Sequence, residues 1–150
     1  MKIFITVGTT RFDTLIEYMD SNPRFGGLDM EFQIANGRYV PRNHPYVSFV
    51  DGGGIDKKYM EADVVITHAG QGTIFKLLRM GKRFIVVPNL ERIDNHQLDI
   101  AGYVSKNRYA LVARDFGEIE GLLDVVLGYD FVRFEADDFF KADEIIEYIF

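Results

Sequence analysis

The stretch ITHAGQGTIFKLLRMGKRFIVVPN, residues 66–89, sets Gly70 and Gly72 between an apolar run and a helix-like run. Where a strand passes into a helix, the first helical amides have no partner within the helix, and they carry the positive end of its dipole. Glycines let a ligand approach that backbone without a Cβ in the way. With Gln71 between them and the hydroxyl of Thr73 beside them, such a turn suits a diphosphate. The same glycines also suit a tight turn that binds nothing, and the residues alone leave both readings open. Two commoner phosphate motifs are excluded. No Gly-Lys-Ser/Thr follows the turn, and glycines at 70 and 72 followed by Phe75 do not make the dinucleotide fingerprint.

Two further loops carry hydrogen-bonding groups. Gly8, Thr9 and Thr10 follow the first apolar run, and a glycine with two hydroxyls suits a phosphate or a ribose. An ordinary helix cap by Thr9 or Thr10 explains them equally well. The run DNHQ, residues 94–97, opens another helical pattern. Asp94 and Gln97 stand at capping-box spacing, and the polar side chains of this run also suit sugar hydroxyls. The three histidines, His44, His68 and His96, form no metal-ligand pattern, and no metal site is expected.

These loops need a scaffold, and the chain supplies an alternation of short apolar runs and longer helical patterns. Strands are expected at 2–7, 31–36, 46–50, 63–68, 83–88 and 109–113. Helical patterns lie between them. One carries Phe12, Leu15, Ile16 and Met19, a short one covers roughly 55–62, one carries Ile74, Leu77 and Leu78, and another follows DNHQ. Two more close the chain at roughly 116–128 and 138–149. Near-continuous apolar strands alternating with helices imply an α/β fold. The sheet should be mostly parallel, doubly wound and Rossmann-like, with about six strands. In such a sheet a ligand binds beyond the carboxyl ends of the strands, where the strand order reverses. The first and fourth strands would be neighbours there, so the Gly8 and Gly70 loops would face one ligand.

Composition sets the outer bounds. With 150 residues the chain is expected to form one domain, and a chain of that length buries roughly 70% of its unfolded surface. Cysteine is absent, which removes disulfides and thiolate zinc sites. The net charge is −6 with no basic block, so no nucleic-acid partner is expected. No stretch is apolar for long enough to form a spanning helix, so no direct membrane span is expected.

The segments VGTTRFDTLIEYM, THAGQGTIFKLLRMGKRFIVVPN and DNHQ, in this order and spacing, resemble the C-terminal, donor-binding domain of family 28 glycosyltransferases. The likeness covers most of residues 1–106. It is nearest to the stand-alone subunits of two-part transferases: the N-acetylglucosaminyltransferase of the dolichol pathway, and the bacterial exopolysaccharide and capsule enzymes. The resemblance implies the C-terminal half of a GT-B enzyme that carries out inverting, metal-independent transfer from a nucleotide sugar, usually a UDP-sugar. It places the diphosphate over Gly70, Gln71, Gly72 and Thr73, with Gly8, Thr9 and Thr10 also at the phosphates, and Asp94, Asn95 and Gln97 at the donor sugar. His68 is expected to shape the loop. Many relatives carry a ribose-binding glutamate where this chain has Lys76, which places Lys76 at the nucleoside and suggests that Lys76→Glu tightens UDP binding. No cofactor is implied.

A complete GT-B enzyme carries its acceptor site, and usually its general base, on an N-terminal domain. Here Met1 leads directly into the first strand, so that half, with the catalytic base, is expected on a membrane-attached partner subunit presenting a lipid-linked acceptor. This chain would be cytoplasmic and recruited to the cytoplasmic membrane face by that partner. In the C-terminal run 138–150, Phe139, Ala142, Ile146, Ile149 and Phe150 form one helical stripe, suited to packing on its own sheet or to docking the partner. A rival reading of the whole chain is a non-catalytic nucleotide-sugar module that regulates or stabilises a partner transferase. A nucleotide-dependent oxidoreductase is disfavoured by the glycine spacing.

Overall fold

The computed structural model describes residues 1–89, 91 and 96–135. Six strands form one all-parallel sheet: β1 (Lys2–Thr6), β2 (Asp29–Gln33), β3 (Tyr46–Val47), β4 (Val64–Thr67), β5 (Phe84–Val86) and β6 (Leu111–Val112). Their spatial order is β3-β2-β1-β4-β5-β6. The chain therefore walks outward from β1 to β3, then returns to lay β4 on the other side of β1. That reversal is the switch point. The register there pairs Ile3 with Val64 and Thr6 with Thr67, so the loops after β1 and β4 leave the sheet side by side.

Both faces of the sheet are covered, which is why the strands read as nearly unbroken apolar runs. Ile3, Ile5, Val64, Ile66 and Ile85 point to one face, beneath α1 (Asp13–Ser21) and α5 (Ile119–Val125). Phe4, Val65, Phe84 and Val86 point to the other, beneath α2 (Gly52–Glu61), α3 (Gln71–Arg79) and α4 (His96–Lys106). Helix α3 buries Ile74, Leu77 and Leu78, which fixes its axis over β4 and β5 and aims its N-terminus at the switch point.

Most elements are shorter than, or offset from, the sequence expectation, and three of the differences lie near the switch point. Helix α2 starts at Gly52 because the Asp51 carboxylate accepts a 2.7 Å hydrogen bond from the Gly54 amide, so three glycines enter the first turn despite their poor propensity. β2 ends at Gln33, and Ala35 takes a left-handed conformation at φ 54. β3 has only two residues, after which Phe49 is 59% exposed.

The connection between β2 and β3 is held by the buried carboxylate of Asp20 on α1. It accepts from the Tyr39 hydroxyl at 2.7 Å, the amides of Arg42 and Asn43, and lies 2.9 Å from His44 Nδ1. Burial raises the Asp20 pKa, but these hydrogen bonds outweigh it and hold the group below its ordinary value. After α5 the chain crosses to the second face, where Phe134 packs edge-on against Phe75 and Tyr109. The apolar C-terminal stripe lies outside the described residues. No helix among the described residues is long and apolar enough to cross a membrane.

Candidate functional site

The loops after β1 and β3, the end of β2, α2 and the start of α3 enclose a cleft of about 290 Å³ at the switch point. Its shape begins with His68. The imidazole is buried, with Nδ1 3.3 Å from the Thr67 hydroxyl, and it lies in a slot between two glycines. A Cβ on Gly8 would stand 2.8 Å from His68 Cε1, and Gly8 itself sits at φ +70. A Cβ on Gly70 would overlap His68 Nε2. Two of the three loop glycines are thus required by the protein's own packing. Gly72 differs, because a Cβ there meets nothing within 4 Å. Its open side lies in the cleft.

Helix α3 begins with an uncapped end. Gly70 is its extended N-cap, and among the described residues no side chain caps the first turn. Helix α2, by contrast, is capped by Asp51. The amides of Gln71, Gly72 and Thr73 therefore present their donors and the positive end of the helix dipole without a side-chain partner. The Thr73 side chain faces the Tyr59 phenol, which also faces Thr6. Burial pushes the Tyr59 pKa up, so the phenol stays protonated at neutral pH.

Gln33, at the end of β2, locks the adjoining loops together. Its Oε1 accepts from the Thr6 hydroxyl at 2.6 Å and from the amides of Val7 and Gly8, while Nε2 donates to the carbonyls of Gly8 at 2.9 Å and Ser48 at 2.8 Å. One buried amide side chain thereby ties the β1 loop to the strand that leads to Phe49. Sequence reasoning did not single out Gln33. The available signal was a lone glutamine at the apolar end of EFQIAN, where a buried polar group demands partners.

Of the residues expected at a ligand, Gly8, Thr9, Gly72, Thr73 and Lys76 line this one cleft, while Thr10, Gly70 and Gln71 do not. Lys76 Nζ lies 2.6 Å from Asp56 Oδ1 on α2. Asp56 had no sequence signal, because its nearness to Lys76 arises only when α2 and α3 pack. Gln97 is buried, and its Oε1 accepts a 2.7 Å hydrogen bond from the Asn89 amide, pinning the loop that leaves β5. Asp94 and Asn95 lie outside the described residues. Among the described residues no three histidine or acidic side chains gather as metal ligands.

A parallel sheet in this order, with a glycine turn and an uncapped helix at its reversal, defines a Rossmann-like α/β domain with its cleft at the switch point. Residues 2–128 match the glycosyltransferase family 28 C-terminal domain, and the chain belongs to this family. The human UDP-N-acetylglucosamine transferase subunit ALG13 is 35% identical over 115 residues, which make up 69% of this chain and 10% of the human protein. The Yarrowia lipolytica subunit of the same name is 31% identical over 129 residues, 77% of this chain and 66% of that one. The chain thus spans about 10% of the length of its human relative and 66% of that from Yarrowia. Among solved structures, the solution structure of ALG13 superposes with a TM-score of 0.68 at 20% identity, covering 99% of this chain and 96% of that one. The crystal structure of Acinetobacter baumannii MurG superposes at 0.64 and 21% identity, covering 85% of this chain and 41% of MurG. The fold is that of the Rossmann-like half of GT-B glycosyltransferases.

Proposed function

We propose that this chain is the donor-binding subunit of a two-component, inverting and metal-independent glycosyltransferase that uses a UDP-sugar. The observation that carries the reading is the uncapped N-terminus of α3, opening beside the unobstructed face of Gly72 in the switch-point cleft. The diphosphate lies over the amides of Gln71, Gly72 and Thr73, with Gly8, Thr9 and Thr10 on its other side. Phe49, exposed at the same cleft, offers its ring to the base, and Lys76 lies at the nucleoside. The donor sugar projects toward the loop bearing Asp94, Asn95 and Gln97.

The acceptor and general base belong to a membrane-attached partner. That assignment is supported by relatives whose names describe a transferase subunit. In the proposed reaction a base on the partner removes the acceptor hydroxyl proton. The acceptor oxygen bonds to the anomeric carbon from the face opposite the diphosphate, and the bond from that carbon to the diphosphate oxygen breaks. The leaving group gains negative charge at the helix terminus, where prealigned amides stabilise it as a divalent cation does elsewhere. A lipid-linked acceptor at the cytoplasmic membrane face, in exopolysaccharide or glycolipid synthesis, fits this division of labour.

The test is transfer of radiolabelled sugar from UDP-sugars to a membrane lipid extract. The chain is assayed alone and then with the product of an adjacent gene bearing a membrane segment and a GT-B N-terminal pattern. Transfer only by the pair is expected. UDP-sugar binding without transfer, with partner activity unchanged when the chain is omitted, would favour a non-catalytic module.

A further inference from the structure

The hydroxyl-bearing side chains of Thr6, Tyr59 and Thr73 line the cleft together with Gln33. Their protons can be counted from one fixed point. Gln33 Nε2 donates to the carbonyls of Gly8 and Ser48, which only accept, so Gln33 Oε1 is the accepting end of the amide. The Thr6 hydroxyl lies 2.6 Å from that oxygen and donates its proton there. The Thr6 oxygen in turn receives the Gly8 amide at 3.4 Å. Thr6 therefore has no proton left for Tyr59, and it already has a donor of its own.

The Tyr59 phenol faces both Thr6 and Thr73. The residue is 3% exposed, and its ring packs edge-on against Phe4 at 5.9 Å, a place that a phenylalanine would fill as well. The hydroxyl is the part that packing leaves unexplained, and a buried hydroxyl demands a partner. Burial keeps the phenol protonated at neutral pH, so Tyr59 has one proton to donate. With Thr6 supplied by Gly8, the Thr73 oxygen is the acceptor in need of that proton. Thr73 then points its own proton into the cleft, beside the uncapped amides of α3. An anion in the cleft selects this arrangement, because the reverse one, with Thr73 donating to Tyr59, turns oxygen lone pairs toward the negative charge. Only rotations about C–O bonds separate the two, and no heavy atom moves. A run of donors from Tyr59 to Thr73 to an anion also polarises each bond in turn.

We propose that Tyr59 is a positioning residue that acts through Thr73: its phenol supplies the Thr73 oxygen and so commits the Thr73 proton to the diphosphate. The inference rests on the proposed UDP reading of the cleft, and its test separates the two. UDP is titrated calorimetrically into the unaltered chain, Tyr59→Phe, Thr73→Val and the double variant, and into Thr73→Ser with and without Tyr59→Phe. Tyr59→Phe keeps the ring and its contact with Phe4, so the variant is expected to fold. A hydrogen bond to a charged group is worth a factor of roughly ten in affinity, so Thr73→Val should bind UDP about tenfold more weakly. Tyr59→Phe should cost about threefold, the support it lends to that bond. In the Thr73→Val background Tyr59→Phe should cost nothing further. Thr73→Ser, which keeps a hydroxyl, should restore both the affinity and its sensitivity to Tyr59→Phe. An equal cost of Tyr59→Phe with and without the Thr73 hydroxyl assigns the phenol to packing alone and overturns the proposal, as does UDP binding in Tyr59→Phe that equals or exceeds that of the unaltered chain. Either result leaves the UDP reading standing, whereas no UDP binding by the unaltered chain overturns both.

Discussion

Gly70→Ala is expected to destabilise the domain without straining the backbone. Gly70 sits at φ −82, ψ 127, which any residue adopts. The cost comes from the new Cβ, which would overlap His68 Nε2. The imidazole has nowhere to retreat, because the ring is 8% exposed and its Cε1 already lies against Gly8. Overpacking of this kind costs about 1–3 kcal/mol. For a domain of this size each kcal/mol lowers the thermal midpoint by roughly 2–4 °C, so a loss of about 5 °C is the central expectation. Gly72→Val is the contrast. A Cβ at Gly72 meets no protein atom within 4 Å, so the midpoint should stay within about 2 °C while UDP affinity collapses. Thermal unfolding by circular dichroism and calorimetric titration with UDP measure the two effects. In a His68→Ala background the added cost of Gly70→Ala should shrink by about 1 kcal/mol or more, because the overlap is gone. If Gly70→Ala melts like the unaltered chain, or costs the same with and without His68, the histidine slot is not what requires glycine.

Lys76→Glu alone should weaken UDP binding, since it sets a second carboxylate against Asp56, now 2.6 Å from the ammonium; titration with UDP checks this. That reverses the expectation drawn from the resemblance, which had no view of Asp56. Gln33→Glu should cost about 3 kcal/mol, because a carboxylate cannot donate to the Gly8 and Ser48 carbonyls. Its buried anion is disfavoured, so the folded state holds its proton to higher pH. Urea unfolding should therefore show the variant losing stability as pH rises from about 5 to 8 relative to the unaltered chain. Tyr39 is shifted by burial and then by its hydrogen bond to Asp20, and its pKa is pushed up to about 12. The unfolded phenol ionises near pH 10, so the Tyr39 contribution is complete below that value and lost toward pH 12. Tyr39→Phe should flatten this alkaline limb, while Tyr59, shifted the same way, preserves part of it.

The sheet was legible because each strand is covered on both faces, leaving short apolar runs such as FIT in β1 and VVIT in β4 that read clearly against helical periodicity. The positions of the Gly8 and Gly70 loops followed from the fold class, since parallel topology makes β1 and β4 neighbours. The reasons behind individual residues were less legible. A glycine pattern gives no sign of whether the missing Cβ makes room for a ligand or for a histidine, and here Gly70 and Gly72 differ on that point. Gln33 and Tyr59 reach the cleft from β2 and α2, Asp56 meets Lys76 across the two helices, and only packing brings these residues beside α3. The run at Gly52–Gly54 resembled a loop because glycine propensity is poor, while the Asp51 cap that makes it helical is a contact within one turn.

The central claim is that the N-terminus of α3 and the β1 loop hold a nucleoside diphosphate without help from a metal. Titration of the nitrogen-15-labelled chain with UDP in EDTA, followed by amide NMR, tests it most directly. The expected result is saturable shifts centred on the amides of Gly8, Thr9, Gln71, Gly72 and Thr73, unchanged when magnesium is added. No shift at those amides, shifts confined to the opposite end of the strands, or binding that appears only with a divalent cation would contradict the account.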